Sequence, residues 1–119
     1  MPSQPLPLDP IAEAREQWRA RWGAGEHMAA ATAVMRVQPL VLAAVEDVLR
    51  PYGLTFSSYE ALMLLVFSRH GELPLGKMSE RLMVHPASVT NTVDRLEERG
   101  FVTRRKDPAD GRRGLAAIT

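Results

Sequence analysis

Val84-His85-Pro86-Ala87-Ser88-Val89-Thr90-Asn91-Thr92-Val93-Asp94-Arg95-Leu96-Glu97-Glu98-Arg99-Gly100 is the stretch that decides the fold. It reads as one short helix with a marked start and a marked stop. Pro86 suits the first helical position, where its missing N–H costs nothing. Gly100 suits the residue just past the end. Val89, Val93 and Leu96 recur at helical spacing and make one apolar stripe. The rest of the surface carries small polar groups: Ser88, Thr90 and Asn91, with Arg95 beside them. Short side chains let a helix backbone come close to another surface. Asn can pair bidentately with adenine, Arg with guanine, and a Thr methyl can touch a thymine methyl. Such an outer face suits a helix that enters a DNA major groove. The plainer alternative is a solvated helix made of weak helix formers.

Working outward, a short helix is expected just before it over Gly76–Met83, with Met78 and Leu82 inward. His85 would stand at the N-cap of the second helix. Two short helices across a tight turn form a helix-turn-helix. After Gly100 the period changes to two. Residues 101–106 and 115–119 read as strands, and Asp107-Pro108-Ala109-Asp110-Gly111-Arg112-Arg113-Gly114 between them is turn-forming at nearly every position. This is a basic hairpin, a wing, with arginines at its tip that suit a narrow minor groove. The fold class is therefore mainly α with a small β-hairpin wing (α+β), a winged helix-turn-helix.

Further upstream, residues 54–70 read as a core helix capped by Thr55, with Ser57 as a rival cap. Its face is Tyr59, Leu62, Met63, Val66 and Phe67. Leu73-Pro74-Leu75 is extended and suits a one-bridge strand. Residues 26–50 form a helical region that Pro39 should kink or break near Val37–Gln38. Val34, Val37, Leu40, Val41 and Val48 lie off its main stripe, so it needs more than one apolar partner. A second subunit would supply one. Asp9 caps a first helix reaching Trp22, with Pro10 at its first position. Trp18 and Trp22 on that helix are candidate ligand contacts, or else simple anchors to the body. Residues 1–8 read as a loose tail, 9–53 as helices for dimerisation and ligand contact, and 54–119 as the winged unit.

Composition narrows the function. The chain of 119 residues has no cysteine, which removes thiol catalysis, disulfides and thiolate zinc sites. His27, His70 and His85 lie on separate elements without metal-ligand spacing, and no glycine-rich phosphate loop is present. A carboxylate beside His27 or His70 leaves a metal-sensing site open, but structural or solvated histidine is the commoner role. No enzyme, metal or cofactor is expected. No uninterrupted apolar run reaches membrane-spanning length, so no membrane partner is expected, and a cytoplasmic location fits. Net charge is +1 overall. It is −2 over residues 1–94 (8 basic, 10 acidic) and +3 over residues 95–119 (7 basic, 4 acidic). Basic charge thus gathers just after the recognition helix, as polyanion binding requires.

In this order and spacing the fragments resemble the MarR family of bacterial transcriptional regulators. They are Leu54-Thr55, Met78-Ser79-Glu80-Arg81-Leu82, Pro86-Ala87-Ser88-Val89-Thr90, Asp94-Arg95-Leu96-Glu97, Arg99-Gly100-Phe101-Val102, and Asp110 with Arg112 ahead of Thr119. The resemblance implies a homodimer on a pseudo-palindromic operator in double-stranded DNA, a repressor released by a small-molecule effector. It implies major-groove contacts from His85, Pro86, Ala87, Ser88, Thr90, Asn91 and Arg95. It implies wing or minor-groove contacts from Arg104, Lys106, Asp110, Arg112 and Arg113, with the acid orienting an arginine. The family usually has Ser where His85 stands and often Arg where Asn91 stands, so base preference does not transfer. A urate-responsive subgroup carries an extra first helix with a ligand-contacting Trp, as Trp18 and Trp22 would allow. The family normally continues with two C-terminal dimerisation helices, whereas this sequence stops after the second wing strand. Either the chain is truncated or dimerisation rests on residues 9–50. The rival reading is a winged helix used for protein–protein contact without DNA. The wing's arginines and lysine argue against it, because protein interface cores are depleted of charge.

Overall fold

The computed structural model describes residues 8–119, so the expected tail lies outside the described residues except for Leu8. The element order is α1 (Pro10–Trp22), α2 (Glu26–Leu49), a 3-10 turn (Arg50–Tyr52), α3 (Phe56–Val66), β1 (Glu72–Pro74), α4 (Leu75–Leu82), α5 (Pro86–Glu98), β2 (Val102–Lys106) and β3 (Gly114–Ile118). The chain divides into two compact units, one ending at Ala44 and one running Val45–Thr119.

In the first unit the Asp9 carboxylate accepts the N–H groups of Ile11 (3.0 Å) and Ala12 (3.3 Å). With Pro10 at the first position, this is the expected helix start. Trp18 and Trp22 meet edge to face, ring centroids 4.9 Å apart, a pairing that contributes about 0.5–1.5 kcal/mol beyond burial. Gly25 lets the chain pass close to the Trp18 ring, since a Cβ there would lie 2.9 Å from Cδ1. The break expected at Pro39 does not occur: α2 runs uninterrupted through it. A proline removes one N–H from the ladder and bends a helix, but Leu40, Leu42, Ala43 and Ala44 beyond it are good helix formers.

Helix α2 also corrects the reading by uninterrupted runs. The helical segment Glu26–Tyr52 is long and apolar enough to cross a membrane by length and composition, with mean hydropathy 1.6 over its best 18 residues. Single charges such as Arg36 break the run without lowering the average much.

In the second unit the core is formed by Ala61, Leu62 and Leu65 of α3, Met78 of α4, Val89, Val93 and Leu96 of α5, Val102 of β2 and Ala116 of β3. The three α5 residues are the stripe expected from their spacing, and all are essentially inaccessible. Helix α3 starts where Thr55 caps it, the Thr55 hydroxyl accepting the Ser58 N–H at 3.2 Å; the Ser57 alternative loses. It ends earlier than expected. Phe67 is its C-cap and is 81% exposed, and Tyr59 and Val66 are also exposed, so the inward face is narrower than the residue types suggested.

The sheet has the order β1-β3-β2 and is antiparallel throughout. Strand β1 pairs Glu72, Leu73 and Pro74 with Ala117, Ala116 and Leu115, three positions instead of one bridge. Pro74 is tolerated because β1 is an edge. At Gly53 the backbone takes φ 70° and the Arg99 guanidinium sits where a Cβ would be. The positive φ is what favours glycine here, since the exposed Arg99 side chain can swing aside.

Candidate nucleic-acid interface

Two helices and a hairpin build this surface. Helix α4 ends at Met83, which takes the left-handed conformation (φ 56°) and is 88% exposed. The Ser79 hydroxyl donates to the Val84 carbonyl at 2.7 Å and ties the turn back to α4. His85 then caps α5: its Nδ1 accepts the Ala87 N–H at 3.1 Å. The role usually given to Ser or Asp is thus filled by an imidazole nitrogen acting as the acceptor. With Val89, Val93 and Leu96 buried below, His85, Pro86, Ala87, Ser88, Thr90, Asn91 and Arg95 are all exposed on α5 and its start. The Thr90 hydroxyl donates back to the Pro86 carbonyl at 3.1 Å, which leaves its methyl and its lone pairs to the outside. Arg95 forms no ion pair among the described residues.

The wing is β2 and β3 joined by residues 107–113. The turn is stabilised from within. Asp107 accepts the Ala109 N–H (2.9 Å) and Asp110 accepts the Arg112 N–H (3.0 Å). The Arg112 side chain is 98% exposed and its Nε lies 4.0 Å from the Asp110 carboxylate. That is a loose approach of acid to arginine. Arg113 is held further back, its Nε 3.6 Å from Asp107. Lys106 is exposed at the base of the turn. An open cleft lies between the wing and the start of α4, lined by Pro74, Leu75, Gly76, Lys77, Glu80, Arg112, Arg113 and Gly114.

Arg104 lies elsewhere than the wing reading supposed. Its guanidinium is turned onto α5, where it pairs with the Asp94 carboxylate and donates to the Thr90 carbonyl at 3.0 Å. Arg105 is also engaged, with Glu72 of β1. Counting cations along the sequence overlooked these acids. Strand alternation held the missing signal, because Arg104 shares a face with buried Val102.

The chain's match to known proteins fits this geometry. The MarR family model matches residues 54–113, half of the chain. The chain belongs to the MarR family. The match covers α3, β1, α4, α5, β2 and the wing turn, and stops just before β3. The chain is 33% identical over 67 residues to the organic hydroperoxide resistance transcriptional regulator of Bacillus subtilis, which covers 56% of this chain and 44% of that protein. A MarR family transcriptional regulator from Streptomyces coelicolor has a similar solved structure. It is 56% identical with a TM-score of 0.72, over 79% of this chain and 64% of that one. CouR from Rhodococcus jostii, solved bound to p-coumaroyl-CoA, is 37% identical with a TM-score of 0.64, over 73% of this chain and 60% of that one. The chain spans about half or less of the length of the curated relatives it matches.

Of the two edge-to-face tryptophans read as ligand contacts, one lines a cleft and the other does not. Trp18 lines a cleft with Ile11, Ala14, Arg15, Gly25, Met28, Ala29 and Thr32, whereas Trp22 lies outside it and is 68% exposed. The cleft encloses about 50 Å³, room for one or two waters. Beside it, Arg19 reaches Glu26 at 3.4 Å. The Glu26 carboxyl is held below the usual carboxylate range, first by its own backbone N–H and then by the Arg19 charge.

Proposed function

We propose that this chain is the DNA-binding part of a transcriptional regulator, acting as a homodimer on a pseudo-palindromic operator. The observation that carries the reading is the division of α5. Its stripe is wholly buried, and its small polar groups are exposed beside a wing whose Arg112 extends free of the body. Thr90 and Asn91 read base edges in the major groove, where the donor and acceptor code is unique. Arg112, Arg113 and Lys106 track the backbone and the neighbouring minor groove, which carries charge and shape more than sequence. In a dimer the half-sites lie about 34–36 Å apart, or a multiple of that.

The exposed apolar residues of α2 support self-association: Val34, Met35, Leu40 and Val48 are each more than two-thirds exposed. Within this family a protein surface, not a lipid bilayer, is the reading that suits such a helix. Effector control is supported by the Rhodococcus relative, which binds p-coumaroyl-CoA. An aromatic or anionic effector of that kind does not fit the cleft beside Trp18 as it stands. Binding there would require α1 to move, and Trp emission would report it. Trp18→Ala that keeps full effector response would remove Trp18 from the site.

The test is selection of duplexes from a random-sequence pool by the full chain, followed by fluorescence anisotropy on the enriched duplex and a scrambled one. Enrichment of an inverted repeat supports the reading. Failure to enrich any sequence overturns it.

A further inference from the structure

Arg104 occupies a position that a groove-contacting arginine would not. We infer that it is a positioning residue that locks the wing to the recognition helix, and that it does not itself hold DNA. The inference rests on the DNA-binding reading above and concerns how that surface keeps its shape.

Three bonds tie this one residue of β2 to α5. One terminal nitrogen pairs with Asp94, the other donates to the Thr90 carbonyl at 3.0 Å, and the Arg104 backbone N–H donates to the Glu97 carboxylate at 3.0 Å. Positions 90, 94 and 97 follow one flank of a helix. Strand β2 is at the edge of the sheet, so an N–H facing away from β3 has no ladder partner. Glu97 supplies one. The Arg104 side chain is 30% exposed, and its Nε is buried with no partner among the described residues. A guanidinium donates in a planar fork. Here both ends of the fork are committed to α5, and Asp94 neutralises the charge. Little of it remains for a phosphate.

The mechanical consequence follows from where the contacts lie. The clamp spans the turn of α5 that carries Thr90 and Asn91, and it anchors the strand that leads into the wing. A helix in the major groove and a hairpin in the adjacent minor groove must keep a fixed separation to bind together. Arg104 sets that separation within the second unit. Asp94 and Glu97 are its partners in the task.

The experiment uses the full chain on a duplex that the wild type enriches from a random pool, with a scrambled duplex as reference. Arg104→Lys keeps the charge but cannot span both Asp94 and the Thr90 carbonyl. It should lower affinity for the enriched duplex about tenfold or more and reduce the preference over the scrambled one. The slope of log affinity against log salt should stay unchanged. Asp94→Asn should do the same. Thermal melts of both variants confirm that they are folded at the assay temperature. A phosphate-contacting Arg104 predicts the opposite pattern. Lys would then largely replace it, and Asp94→Asn would release its charge, strengthening binding to both duplexes and steepening the slope. Either result overturns the inference. If the wild type enriches no duplex, the DNA-binding reading fails first and this one with it. If the wild type binds and the variants match it, only the clamp is wrong.

Discussion

The two units treat their apolar residues in opposite ways. In the winged unit the apolar residues of α5 are spaced three and four apart, and Val89, Val93 and Leu96 are 1%, 0% and 1% exposed. In the first unit the apolar residues of α2 run round more than one face, and Val34, Met35 and Leu40 are each at least 69% exposed. A stripe as narrow as α5's is covered by α3, α4 and β2 of the same unit. A helix apolar on several sides needs more cover. The winged unit therefore has its core within itself, while much of the apolar surface of α2 is left uncovered.

Substitutions can break that contrast, and the core offers the largest effect. Leu96→Ala should cost about 2–5 kcal/mol of stability, read as a lowered denaturation midpoint. Leu40→Ala on α2 should change the stability of the monomer by no more than about 0.5 kcal/mol. It should nevertheless weaken self-association in sedimentation runs at micromolar concentration. Equal losses of monomer stability from both would mean that α2 is packed in the monomer, and the comparison would collapse.

Gly53→Ala comes next. The left-handed backbone opposes a Cβ, so the loss should be about 1–3 kcal/mol from strain, the Arg99 guanidinium being free to swing aside. Arg99→Ala in the same background should return little of it; a large rescue would show that the guanidinium, not the backbone, excludes the Cβ. His85 sharpens the account of α5. His85→Ala should cost about 0.5–2 kcal/mol by leaving the Ala87 N–H uncapped. His85→Ser, which can cap the same helix, should cost little. If Ser and Ala are equally damaging, the cap is not what His85 contributes to stability.

The smallest effect belongs to Glu26. Its folded carboxyl titrates below its unfolded value, so its contribution is present above the unfolded pKa and is lost as pH falls through the lowered one. Wild type and Glu26→Gln should differ slightly in melting temperature at neutral pH and converge in acid. A difference that widens in acid would reverse the assigned sign.

What could be read from the sequence follows the same division. The winged elements carry local signals strong enough to name: Pro86 at a helix start, the 89-93-96 stripe, and a turn-rich stretch between two strands. These led to the right fold and the right family. Positions decided by partners far along the chain were harder. Phe67 looked like core by residue type, yet α3 ends beneath it. Pro39 suggested a kink or break, yet α2 stays helical through it. Arg104 looked like a free cation because Asp94 lies ten residues away, and only the fold brings the two together. The His85 cap was foreseen as a position, but which ring nitrogen fills it is a matter of geometry.

The central claim is that α5 chooses sequence and the wing supplies charge, and paired salt titrations test it most directly. Fluorescence anisotropy is measured for the wild type, Asn91→Ala and Arg112→Ala on the enriched and scrambled duplexes at several salt concentrations. Arg112→Ala should weaken both duplexes and flatten the slope of log affinity against log salt by about 0.9 per lost phosphate contact in each subunit. Asn91→Ala should leave the slope nearly unchanged and remove about 1–3 kcal/mol of discrimination per base contact. If instead Asn91→Ala weakens both duplexes equally and flattens the slope, α5 is not reading bases through Asn91, and the division of labour is wrong.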